Sequence, residues 1–218
     1  MPSRARKKRK RRRRARRLTD SAASVFLNIP YDAGFENLLL AYIAAISAFG
    51  FTPRATLGIP FNGRLDRILS LIAESEYSIH DLSRVQVDRA SPRTPRFNMP
   101  FELGLTVALK STKLPNHAWV VCESVQRRLN KSLSDLDGTD PYVHDGTVRG
   151  VFRELCNVFV RSRRQPTVLQ MSRIYRVLRE NFRTILREAG ADDAFNARVF
   201  KDLCILAGAA ANQFVTPK

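Results

Sequence analysis

Between residues 24 and 160, short apolar runs alternate with amphipathic stretches of helical period, and this alternation limits the chain to few architectures. Residues 25–29 (VFLNI) read as a buried strand that Pro30 ends. Residues 36–49 follow as a helix, with Leu39, Tyr42, Ile43 and Ile46 on one face and Gly50 as its stop. A second strand is expected over 51–57, weakened by Pro53. Residues 58–63 read as a loop, and 64–74 as a helix with Leu65, Ile68, Leu69 and Ile72 on one face. A brief strand at 77–80 closes on Asp81, Leu82 and Ser83, and a long polar loop occupies 84–98. Pro100 then opens a helix with Phe101, Leu105, Ala108 and Leu109 as its apolar face. A fourth strand covers 118–122 (AWVVC), and a helix covers 148–160.

Strands alternating with helices predict an α/β fold: a flavodoxin-like parallel sheet of four to five strands, covered by helices on both faces. Beyond residue 160 the pattern changes. Met171, Ile174, Tyr175, Leu178, Phe182, Ile185 and Leu186 mark a long amphipathic helix that ends at Gly190, and a shorter helix follows over about 192–209. These form a C-terminal helical appendage that packs on the body or on a partner. Its polar side carries Arg173, Arg176, Arg179, Arg183 and Arg187, for which a solvated face is the ordinary explanation. The chain thus divides into a basic arm (1–20), an α/β domain (21–162) and a helical segment (163–218).

Charge separates the arm from the rest. Residues 4–17 hold twelve of the 37 Lys and Arg residues and no acid, which leaves 25 bases against 20 acids in the remaining chain. Such a segment stays extended and solvated. It is expected either to attach electrostatically to nucleic acid or an anionic membrane, or to be a leader without function. No aromatic is interleaved to stack on bases. Nucleic acid is therefore a partner only through the arm. No apolar run approaches the ~20 residues of a membrane span, and no apolar segment follows the arm as in a secretory signal. Cys122, Cys156 and Cys204 are odd in number and dispersed, which excludes a disulfide framework and implies a reducing, cytoplasmic setting.

Familiar catalytic motifs are missing: no GxGxxG, no GxxxxGK[ST] and no GxSxG. His80, His117 and His144 are not at zinc spacing with cysteine, and Asp135, Asp137, Asp140 and Asp145 do not have EF-hand spacing, so no metal site is expected. The candidate chemistry lies in the crevice beyond the carboxyl ends of the strands. Tyr31 and Asp32 follow the first strand, Asp81 and Ser83 the third, and Glu123 the fourth. Glu102 is expected in the first turn of its helix, at the positive end of the macrodipole, sheltered by Phe97, Met99 and Phe101. A carboxylate so placed can serve as a nucleophile or face a developing oxocarbenium ion, as N-glycosidic cleavage requires. Asp81 could orient the leaving base or a sugar hydroxyl. Each acid also has a plain structural reading, Glu102 as a helix-stabilising residue and Asp81 as a turn residue.

The segments 26–32 (FLNIPYD), 77–83 (YSIHDLS) and 98–104 (NMPFELG) resemble the nucleoside 2-deoxyribosyltransferase-like and Toll/interleukin-1-receptor (TIR)-like group, over roughly residues 24–160. The resemblance implies N-glycosidic cleavage or exchange in nucleosides or NAD, with Glu102 and Asp81 as the catalytic residues. Tyr31, Asp32, Ser83, Asn98, Phe101 and Glu123 would line the substrate pocket. No cofactor is implied, because NAD enters as a substrate. Bacterial TIR-like members often act in antiphage defence. The alternative is a non-catalytic module that senses a nucleotide, with the C-terminal helices signalling occupancy or assembling a homo-oligomer. The stretch from Leu133 to Gly146 has no counterpart in the transferases and reads as a lid, a rim or a turn-rich surface loop.

Overall fold

The computed structural model describes residues 23–57, 63–85, 94–136 and 138–215. The expectations for the basic arm, for most of the 58–63 loop, for the middle of the 84–98 loop and for Asp137 lie outside the described residues. The chain forms a five-stranded parallel sheet: β1 (Ser24–Asn28), β2 (Thr52–Ala55), β3 (Tyr77–Asp81), β4 (Ala118–Glu123) and β5 (Tyr142–Val143), in the order β2-β1-β3-β4-β5. This is the flavodoxin-like doubly wound order, in which the chain leaves β1 in opposite directions and opens a crevice at the switch point. Registers are regular: Phe26 lies beside Arg54 on one side and Ser78 on the other.

Seven α-helices surround the sheet among the described residues: α1 (Glu36–Ala48), α2 (Arg64–Ala73), α3 (Asn98–Thr112), α4 (Arg128–Ser132), α5 (Val148–Val158), α6 (Val168–Ala189) and α7 (Ala197–Phe214). Period-two alternation divides the strand side chains between the two faces. Val25 and Leu27 of β1 join the core formed with α1, α5, α6 and α7, whereas Phe26 between them packs with Ile68, Leu71 and Ile72 of α2. Met99 and Leu103 of α3 join Val121 of β4 and Leu129 of α4.

Helix α1 is buried all round from Leu38 to Ala48. A helix apolar on every side needs neighbours on every side. The sheet and α5 supply one set, and the C-terminal pair α6–α7 supplies the other. The appendage therefore packs on the body, through the predicted stripe of Met171, Ile174, Leu178 and Phe182. The five arginines of its polar side are exposed.

Several boundaries differ from the sequence reading. β2 is shorter than 51–57, and Pro53 sits within it because β2 is an edge strand. α7 starts and ends about five residues later than expected, because Asn196 caps it: its side-chain oxygen accepts from the Arg198 and Val199 amides. The stretch 133–146 holds a short 3-10 turn and the edge strand β5, whose two residues were too few to show a period. No helix among the described residues is long and apolar enough to cross a membrane.

Candidate functional site

A cavity of about 620 Å³ opens beyond the carboxyl end of β1, between the residues that follow β1 and β2 and the start of α3. Asn28, Tyr31, Thr56, Arg64, Arg96, Phe97, Asn98, Met99 and Glu102 are among its lining residues. Of the sequence candidates, it brings together Glu102, Tyr31 and Asn98.

Glu102 reaches the cavity by an unusual route. Met99, Glu102, Leu103 and Thr106 form the buried stripe of α3. Their spacing is that of an apolar helix face, with a carboxylate at one core position. Glu102 is only 6% exposed, and its carboxylate makes no hydrogen bond or ion pair among the described residues. Burial pushes its pKa up to about 7, with Arg64 on the cavity wall pulling the other way. The expected macrodipole contact is not made. α3 begins at Asn98, so Glu102 is its fifth residue and lies beyond the first turn. Pro100 is accommodated at the third position because first-turn amides need no helical acceptor.

The groups around Glu102 are held firmly. The Tyr31 hydroxyl shares a hydrogen bond of 2.9 Å with Thr56 Oγ1 and accepts one of 3.2 Å from the Thr56 amide. Burial raises its pKa to about 12, so it stays a neutral phenol. Asn28 Nδ2 donates to the Met99 carbonyl at 2.8 Å and to His80 Nδ1 at 2.9 Å. The carbonyl can only accept, which fixes the amide and leaves Asn28 Oδ1 without a protein partner among the described residues. His80 is fully buried, and its pKa is lowered to about 3, chiefly by burial and then by His117. Its proton sits on Nε2, which has no partner among the described residues, so His80 serves as a neutral acceptor that orients Asn28. Arg96 reaches the cavity while bound to Asp32 at 2.7 Å, and Arg84 approaches the same carboxylate at 3.5 Å. Asp32 thus holds Arg96 in place from outside the lining.

The remaining candidates lie elsewhere. Asp81 was expected to converge with Glu102, but it points to the opposite face of the sheet. Being adjacent on β3, His80 and Asp81 must face opposite ways. Asp81 is fully buried and accepts from Tyr42 Oη at 2.8 Å, His144 Nε2 at 3.0 Å and the Ser83 amide at 2.9 Å. The Gly146 amide donates to His144 Nδ1, which places the His144 proton on the side of Asp81. Ser83 belongs to this buried knot through its backbone. Glu123 is fully buried against Arg128 of α4, and burial is the main cause of its raised pKa. Phe101 is 57% exposed and points away, because the buried stripe of α3 runs one residue out of step with the expected face.

The sequence reading missed Asn28, Thr56, Arg64 and Arg96 as lining residues. Asn28 carried a signal, as the one polar residue in an otherwise apolar run. Thr56, Arg64 and Arg96 carried none, since only the crossovers bring them to β1. Among the described residues, no group of three His, Cys, Asp or Glu side chains could hold a metal ion.

The chain matches no family model, no curated protein and no solved structure. What the cavity can do chemically therefore rests on its own groups. It offers one buried carboxylate, unpaired among the described residues, with an amide oxygen, a phenol and two arginines.

Proposed function

We propose that the cavity cleaves or exchanges an N-glycosidic bond in a nucleoside or nucleotide, with NAD among its candidate substrates. The observation that carries this reading is Glu102, a carboxylate unpaired among the described residues and held in a ligand-sized cavity at the switch point of a doubly wound sheet. As the bond breaks, the departing base keeps the electron pair and the anomeric carbon becomes cationic. The Glu102 carboxylate would face that cation or bond to it, and water or an acceptor hydroxyl would then complete the transfer. Low local polarity strengthens the attraction. Asn28 Oδ1 could accept from a sugar hydroxyl, and Arg64 and Arg96 could meet phosphate. The resemblance to TIR-like and deoxyribosyltransferase-like domains points to the same carboxylate, and with it to a role in antiphage defence.

The test is chromatographic product analysis with NAD and a panel of nucleosides and nucleotides. Turnover of one substrate is expected, with Glu102→Gln lowering it at least 100-fold while leaving the circular dichroism spectrum unchanged. A protein inert toward the whole panel would refute the reading.

One contact favours a second reading, a nucleotide sensor. The Tyr31 ring lines the cavity and packs on Phe195, in the connection between α6 and α7, at 5.6 Å between centroids. A ligand that moved Tyr31 would press on the C-terminal helices. This reading predicts saturable binding by calorimetry without product.

A further inference from the structure

A second hollow, of about 690 Å³, runs along the open edge of the sheet and shares no lining residue with the Glu102 cavity. All four residues of the edge strand β2 line it. Arg67 and Leu71 of α2 flank it on one side, and Phe200, Lys201 and Ile205 of α7 on the other. Its size is that of a small-molecule site.

The charge in this groove has one sign. Arg54, Arg67, Arg164 and Lys201 line it, and no acid does. Arg54 is paired with Glu74 at 2.8 Å, outside the lining. The side chains of Arg67 and Lys201 make no hydrogen bond or ion pair among the described residues. Among the described residues, Arg164 is anchored only by neutral acceptors. Its Nη2 donates to the Val215 carbonyl at 2.7 Å and to Asn212 Oδ1 at 3.4 Å, and its Nε is buried without a partner among the described residues. Three cations without an acidic partner among the described residues thus surround one concavity, which attracts an anion and costs the empty protein self-repulsion. The wall between them is apolar: Leu71 and Phe200 are buried, and Ile205 is 61% exposed.

Two other kinds of occupant fit poorly. The Thr52 amide donates to Ala23 O of the neighbouring strand, so alternation turns position 53 toward the open edge. That position is proline, which has no N–H to pair with an added strand. The basic arm carries the same sign of charge as the groove.

We propose that this groove binds a phosphorylated small molecule with an apolar body, its phosphate among Arg67, Arg164 and Lys201 and its apolar part against Phe200 and Ile205. Guanidinium groups suit phosphate because they offer paired, charge-assisted donors. The site is independent of the chemistry assigned to Glu102.

The test follows the methyl NMR signal of Ile205 in the full chain during titration with ADP, octyl phosphate or inorganic phosphate. ADP or octyl phosphate should shift the signal saturably, and more tightly than inorganic phosphate. A response to ADP alone identifies a nucleotide-like ligand, and a response to octyl phosphate alone a lipid-like one. The surface substitutions Arg67→Ala and Lys201→Ala, made together, should weaken binding at least tenfold, while Glu102→Gln leaves it unchanged. The proposal is overturned if Ile205 is silent to all three probes, if inorganic phosphate binds as tightly as both organic phosphates, or if the double variant binds as the parent does.

Discussion

Glu102 and Asp81 are both buried acids, yet their surroundings give them opposite roles. Asp81 has three donors, whereas Glu102 has none among the described residues. Ionised Glu102 is therefore a cost to the fold, and its sign can be worked out. Its folded pKa, about 7, lies above the ordinary carboxylate value, so the folded state holds its proton more tightly than the unfolded chain. The site's contribution is most favourable below the unfolded pKa and declines as pH rises through the folded one. Glu102→Gln should accordingly raise stability at pH 8, by on the order of 2 kcal/mol, and change it little at pH 4. Urea unfolding at the two pH values checks this; equal effects at both would mean that the carboxylate is not strained. Tyr42→Phe removes one donor from Asp81 without changing the packing shape. It should cost about 1–2 kcal/mol in the same assay and leave turnover at Glu102 intact. At this scale the sequence marked the acids but not where they point. Asp81 and Glu123 both follow apolar runs and so read as rim residues. Each is instead the last residue of its strand, still in alternation, and its side chain is turned into the protein.

The elements most legible in the sequence were those with several periods to display. β1, β3, β4, α1, α2 and α6 all lie near their expected positions, because an apolar stripe repeated over three turns or an uninterrupted buried run has few alternatives. The stretch before α5 was opaque, since its structure comes from single contacts. His144 is buried there against Asp81, and the turn of Asp145 and Gly146 takes positive φ before Thr147 caps α5. The close approach falls at Gly150, where a Cβ would lie 1.9 Å from the His144 carbonyl oxygen. That neighbour is backbone and cannot swing aside. Gly150→Ala should therefore displace the α5 start from His144 and cost roughly 3 kcal/mol, despite alanine's better helix propensity. A lower urea midpoint checks this; a gain in stability would show that the loop yields freely.

For the whole molecule, the decisive fact is a helix with no polar side. Leu38 to Ala48 are all buried, so α1 cannot serve as the outer layer of an ordinary two-faced α/β sandwich. α6 and α7 cover it, and one apolar cluster runs from β1 and β3 through α1 to Met171, Leu178, Leu203 and Ala207. The sequence reading included the amphipathic C-terminal pair but assigned α1 a single apolar face, and nothing local joins the two. The pair buries its stripe on α1 and leaves its arginines to solvent, which answers the question of body or partner left open by composition. Residues 163–218 are separable in pattern and not in energy. A chain ending at residue 162 would expose the outer side of α1, with Leu40, Ile43 and Ala44 among the residues of that core. Each Å² of apolar surface returned to water costs ~25 cal/mol, against the roughly 5–15 kcal/mol that holds a domain together. The truncated chain should aggregate or lack a cooperative thermal transition, and adding residues 163–218 as a separate peptide should restore one. A soluble truncated protein with an unchanged melting temperature would mean that α1 finds other cover.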